Sequence, residues 1–353
     1  HKPAKAHLLA ETTYSVTSSV FHYCIDCNVW WNIWSSRTCF VNIATSQSDG
    51  SLVGWDKQIL CEVDTAIDIM KKPAVNDNSD ELQTVVHRLN RVIQILKVLV
   101  HQIDILETMT PLDFLDFRDF LRPASGFQSI QFKILESKLG LKYENRYGQE
   151  YYLSQLKPED RQTVIDAEKN PSVMLLLNQW LERFPFFQDP ALWNSYQAQF
   201  SNTGELHPFW NDYKNLYLQS LSEAEKGNIQ FFEKHFFEED ATRSLSAKAN
   251  QSALFIMLYR GYPLFHQPFQ LLQCLLDIDE QMATWRFRHV NMVHRMIGNR
   301  IGTGGSTGKA YLQGALNKHY IFQEIAGMTS FLMERNKIPQ LPKELSSSIG
   351  FKL

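Results

Sequence analysis

The chain contains no hydrophobic run approaching the ~20 residues that a membrane-spanning helix requires, so no membrane span is expected. It has little excess charge of either sign. A formal net charge of −3 over 353 residues leaves no basic surface suited to nucleic acid or anionic lipid. Cysteine is scarce and odd in number: the 5 stand at 24, 27, 39, 61 and 274. No disulfide framework follows from them, and a reducing, cytoplasmic setting fits best. No repeat or low-complexity tract breaks the text. His1 to Ala10 offers only a short apolar run, interrupted by Glu11, so no secretory signal is read there. The start on His1 suggests a processed or truncated end. What is present is apolar mass. A hydrophobic content of 44% with 12% aromatics can fill a sizeable core in one large domain or two smaller ones.

Residues 1–54 differ in character from the rest. Glu11 to Val20 is rich in β-formers and serine, and the following residues to Ile43 crowd aromatics and cysteines without helical period. His22, Cys24, Cys27 and Cys39 offer zinc-type ligands, but the second half of the paired spacing is missing. This stretch reads as a poorly ordered or foreign segment. From Trp55 the text turns helical. Asp56–Lys72 and Glu81–Met109 carry apolar residues at three- and four-residue spacing, the latter on a wide stripe suited to a central helix. His87 and His101 on it read as exposed or hydrogen-bonded side chains. Residues 141–240 are less regular, with helices expected near Ser172–Arg183, Trp193–Gln199 and Phe209–Phe237. Ser244–Tyr259, Gln267–His294 and Tyr311–Glu334 read as further helices, and residues 336–353 as a tail.

One stretch organises the whole, Trp285 to Gly308, WRFRHVNMVHRMIGNRIGTGGSTG. Met282, Trp285, His289, Met292, Val293 and Met296 share one helix face, on which His289 is the only polar member. His294, about 140° further round, cannot join His289 at one ligand. The helix should stop at Gly298, before a glycine loop bearing Thr303 and Thr307. Gly308-Lys309 does not make a phosphate loop, because Thr303 and Ala310 stand where glycine and Ser/Thr are needed. His289 can be a core histidine satisfied by backbone groups, or the single axial ligand of a haem.

A second cluster surrounds Arg118. Thr110-Pro111 restarts a helix, with threonine as cap, proline at the first position and Asp113 at the positive end. Arg118 shares a face with Phe114, Phe117 and Leu121, where a guanidinium needs an anion. Glu107 could supply it internally; a substrate carboxylate held bidentately could supply it from outside. Arg122-Pro123 ends this helix, and Ser125-Gly126 opens the next, Phe127–Leu139, stopped by Gly140. Ser125 alone reads as an N-cap.

Taken together, Leu106–Arg118 (LETMTPLDFLDFR), Arg122–Phe132 (RPASGFQSIQF) and Arg288–Gly305 strongly resemble the tryptophan 2,3-dioxygenase family, from about Trp55 to about Leu332. The resemblance implies an all-α fold: a helical bundle enclosing a haem pocket, residues 55–335, with 141–240 as a helical elaboration. It implies heme b held by His289 through its iron, with Ser125 and Gly126 lining the distal side. Arg118 would clamp the carboxylate of L-tryptophan, Thr303 would meet its ammonium and carboxylate, and Phe114 would pack on the indole. The implied reaction inserts O2 across the indole C2–C3 bond to give N-formylkynurenine, opening the kynurenine route of tryptophan breakdown. A homotetramer, built as a dimer of dimers, is also implied.

The first 54 residues depart from this pattern. The family carries a phenylalanine and a distal histidine in Phe-x-x-x-His-Gln-x-x-Glu-Leu-Trp. Counting back from Trp55 without a gap, those positions fall on Thr45 and Asp49. Related indoleamine dioxygenases have serine in place of that histidine, so its loss need not abolish turnover. The competing reading is an impaired haem binder, or an apo helical scaffold acting through protein partners.

Overall fold

The computed structural model describes residues 55–72, 79–115, 132–141, 153–154, 158–187, 189–201, 206–298 and 320–350. Among them every regular element is helical, and no helix is long and apolar enough to cross a membrane. The all-α expectation holds.

Two long helices form the spine. α1, Trp55–Met70, leads into α2, Asp80–Leu106, and α2 packs along a much later helix of 35 residues, Pro263–Ile297. Local signals start α2. The Ser79 hydroxyl accepts the Leu82 N–H at 3.2 Å, and Asp80 and Glu81 sit at the positive end of the dipole. Its stripe of Leu82, Val85, Leu89, Val92, Leu96 and Ile103 is buried, matching Ile59, Val63, Ile67 and Met70 of α1. One charge sits in this seam. Glu62 of α1 accepts from Arg88 Nη1 at 2.9 Å and Arg91 Nε at 2.6 Å. Burial would raise its carboxyl, but the two guanidiniums outweigh that and hold its pKa below the ordinary value.

Beyond α2 come α3, Pro111–Leu115, and a helix over residues 132–139, named α4. Lys138 of α4 pairs with Asp64 of α1, and Phe132, Leu135 and Leu139 are buried in the main core. The polar helix α5, Pro158–Lys169, rests on α4 through Val164, Ala167 and Ile134. α4 ends where the sequence predicts. Gly140 turns the chain at φ +119°, and its N–H donates to the Glu136 carbonyl at 3.0 Å.

The region 141–240 supplies much of the core. α6, Val173–Glu182, matches its expected span and buries Val173, Leu177, Trp180 and Leu181. The single helix expected over 209–237 is instead two, α7, Pro208–Ser220, and α8, Asn228–Phe237. A Ser222–Glu225 capping box starts a short 3₁₀ turn between them, satisfying N–H groups that a continuous helix would have used. The helix expected near Trp193–Gln199 is a 3₁₀ turn, Pro190–Trp193. The buried Asp212 carboxylate takes the Gln199 and Phe200 N–H groups, which withdraws them from a helix. Phe209, Trp210 and Tyr213 of α7 and Phe232 and Phe236 of α8 are fully buried beside α9, Ala247–Leu258, and Phe209 meets Phe255 of α9 edge-on at 5.3 Å.

α10, Pro263–Ile297, begins four residues before the expected Gln267, because proline at the first helical position loses no hydrogen bond. The last helix, expected over 311–334, is broken in its described part into α11, Gln323–Gly327, and a 3₁₀ turn, Met328–Phe331. Carboxylates tie both this segment and the start of α9 to distant parts of the chain. Asp279 of α10 accepts the Ile321 and Phe322 N–H groups at 3.2 and 2.6 Å, and Glu324 takes those of Ser244 and Leu245. The stretch read as a tail is seated on the core. Tyr259 donates to the Pro339 carbonyl at 2.6 Å, and Leu345 of α12, Lys343–Gly350, is fully buried.

Candidate functional site

The candidate site forms where the C-terminal half of α10 meets α4, α3 and the end of α2. α10 continues through His289 to Gly298, whose N–H donates to the His294 carbonyl at 2.9 Å and whose φ of +57° stops the helix. His294 is exposed and takes no part.

His289 is half-buried, one turn after Trp285, and its imidazole stacks on that indole with centroids 4.8 Å apart and planes 21° from parallel. On its other side Trp285 stacks on Phe132 of α4, at 4.1 Å and 18°. Three rings from two helices thus lie nearly parallel. Burial pushes the His289 pKa down to about 4, because the surrounding protein displaces the water that would hydrate an imidazolium. The ring is therefore neutral at neutral pH and keeps a lone pair. Among the described residues no hydrogen bond engages either ring nitrogen.

Charges frame the stack. Arg286 Nη2 donates to Glu136 Oε1 at 2.7 Å, with side chains only 12% and 5% exposed, and Lys133 adds a 3.2 Å contact to the same carboxylate. Arg288 pairs with Asp104 near the end of α2, and the His101 ring nitrogen lies 3.3 Å from that carboxylate. His101 and the exposed His87 are solvent-facing side chains, as read from the sequence.

Further along, Leu106 and Met109 pack on Met296 and Ile297, with Phe114, Met292 and Val293 against them. α3 delivers Phe114 to this cluster because Thr110 caps it: the Thr110 hydroxyl accepts the Asp113 N–H at 3.2 Å. Phe114 is half-buried against the cluster to which Met296 and Ile297, on the α10 turns after His289, belong. Arg118, Ser125, Gly126, Thr303, Asp49 and the cysteines of the N-terminal stretch lie outside the described residues. Among the described residues no group of His, Cys, Asp or Glu could hold a metal ion by itself.

Phe132, Glu136 and Arg286 are parts of the site that the sequence did not single out. Glu136 stands four residues after Phe132, on the apolar face of its helix, and an acid in that position was the available signal.

The described residues define an all-helical protein in which His289 is neutral and has no hydrogen-bond partner among them. Comparison with known proteins places it more narrowly. The family model for tryptophan 2,3-dioxygenase matches residues 42–332. The tryptophan 2,3-dioxygenase of Bdellovibrio bacteriovorus is 39% identical over 312 residues, covering 84% of this chain and 86% of that protein. That of Dictyostelium discoideum is 40% identical over 319 residues, covering 84% and 78%. That of Mayetiola destructor is 42% identical over 317 residues, covering 84% and 80%. The chain belongs to the tryptophan 2,3-dioxygenase family and is an enzyme of that family. The family match begins at residue 42, ahead of the Trp55 at which the resemblance was read.

Proposed function

We propose that this chain is a haem-dependent dioxygenase that inserts both atoms of O2 across the indole C2–C3 bond of L-tryptophan, giving N-formylkynurenine. The observation that carries the reading is His289: neutral, half-buried, stacked, and without a hydrogen-bond partner among the described residues. An imidazole in that state fits the role of axial ligand to heme b, since a ligating nitrogen must be unprotonated and unshared. When bound, the haem supplies the O2 activation that no amino-acid side chain provides.

The protein's part is binding, orientation and exclusion of water. Arg118 would hold the tryptophan carboxylate bidentately, and Thr303 would meet the ammonium and carboxylate. Phe114, half-buried against the cluster of Leu106, Met109, Met296 and Ile297, would pack on the indole. Ser125 and Gly126 would line the side facing substrate. Polar clamps of this kind discriminate strongly, because an analogue lacking the carboxylate or ammonium leaves a partner unpaired. We assign a homotetramer and a cytoplasmic location on the same family ground.

The test is spectroscopic, then chemical. The purified chain should carry a haem Soret band that shifts on adding L-tryptophan under reducing conditions, and should form N-formylkynurenine, read by its own absorbance. A chain without the band would be an apo scaffold. A band unmoved by tryptophan, with no product, would mark an inactive haem binder.

A further inference from the structure

A metal-bound histidine is usually oriented by a hydrogen bond from its second ring nitrogen to a carboxylate or carbonyl. His289 has no such partner among the described residues, yet something must set its ring plane. We infer that stacking does this work: Phe132 and Trp285 form a brace that holds the His289 imidazole, and the Glu136–Arg286 ion pair fastens it. This rests on the haem reading given above.

The geometry is continuous from one helix to the other. Phe132 lies on Trp285 at 4.1 Å and 18°, and Trp285 lies on His289 at 4.8 Å and 21°. Trp285 and His289 are one turn apart on α10, so their side chains stack along a common helix face. That contact alone would leave the indole free to swing outward. Phe132, buried in the main core, closes its other face. The position of Phe132 depends in turn on α4, and four residues later on that helix Glu136 accepts from Arg286, the residue beside Trp285. With both side chains nearly buried, this pair fixes α4 against α10 at the level of the stack. Lys133, half-buried, shares the carboxylate at 3.2 Å. Phe132, Trp285, Glu136 and Arg286 are thus positioning residues that act through His289.

Haem transfer from the loaded protein to excess apomyoglobin tests the brace, together with the iron–histidine stretching band of the ferrous protein. Phe132→Leu and Trp285→Leu keep an apolar side chain but remove the stack, and Phe132→Leu loses the less volume. Each is expected to speed haem loss about 10–100-fold and to shift or broaden the band, while Trp285→Phe restores most of both. Glu136→Gln should show a smaller change in the same direction. If Trp285→Leu fails to fold by circular dichroism, Phe132→Leu carries the test. Unchanged transfer rate and band in Phe132→Leu, with a wild type that holds haem, would overturn the brace alone. A wild type that takes up no haem would overturn the reading beneath it and the brace with it.

Discussion

Gly140 ends the helix that carries Phe132 and Glu136, and its replacement by alanine allows a worked magnitude. At φ +119° the backbone is in a region that costs an L-residue about 1–2 kcal/mol. A Cβ built there would stand 2.5 Å from the Met174 Cβ and 3.1 Å from the Ser172 hydroxyl. Met174 is buried and Cβ is the rigid root of a side chain, so relief requires moving α6, at about 1–3 kcal/mol. Ser172 is also the N-cap of α6, accepting the Leu175 N–H at 3.2 Å, and disturbing it adds about 1 kcal/mol. Gly140→Ala should therefore destabilise the protein by about 3–6 kcal/mol, lowering Tm on the order of 5–15 °C. The control is Gly227→Ala. That glycine has φ −61° and ψ −22°, and a Cβ there meets nothing within 4 Å. It should be neutral or stabilising by about 0.4–1 kcal/mol. Thermal and urea melts of both variants at one pH decide the matter. A Gly140→Ala melt indistinguishable from wild type would refute the account of how the end of α4 packs against the start of α6.

Three further outcomes are expected. Arg118→Ala should raise the KM for tryptophan by orders of magnitude in steady-state assays, and an unchanged KM would refute the carboxylate clamp. His207 caps α7 by accepting the Phe209 N–H at 3.3 Å, and burial lowers its pKa to about 4. Since the unfolded chain binds that proton at about 6.5, the contribution is complete above pH 6.5 and is lost as pH falls towards 4. In His207→Asn, urea melts at pH 7 and pH 5 should differ less than in wild type, by about 1–2 kcal/mol; an identical acid loss would count against it. Asp212, fully buried, accepts from the Tyr196 hydroxyl at 2.8 Å and the Gln199 and Phe200 N–H groups at 2.8 and 3.0 Å. Asp212→Asn keeps the size but turns an N–H2 towards those donors, and should cost about 2–4 kcal/mol in a denaturant melt.

Periodic spacing and local punctuation by themselves determined the helices that pack on one face: α1, α2 and the site-bearing half of α10, with stops at Gly140 and Gly298. The same local text placed His289 on an apolar face and made the family legible across most of the chain. These are properties of neighbours in sequence, set by the 3.6-residue turn and by which residues tolerate a positive φ. Tertiary structure decided the rest. Asp279, Asp212 and Glu324 redirect segments whose spacing reads as helix, because a buried or half-buried carboxylate claims backbone N–H groups from another stretch. Phe132 meets Trp285, and Glu136 meets Arg286, only after α4 has docked on α10. Contacts between residues so far apart in the chain leave no local pattern, so only the packed molecule reveals what holds the histidine in place.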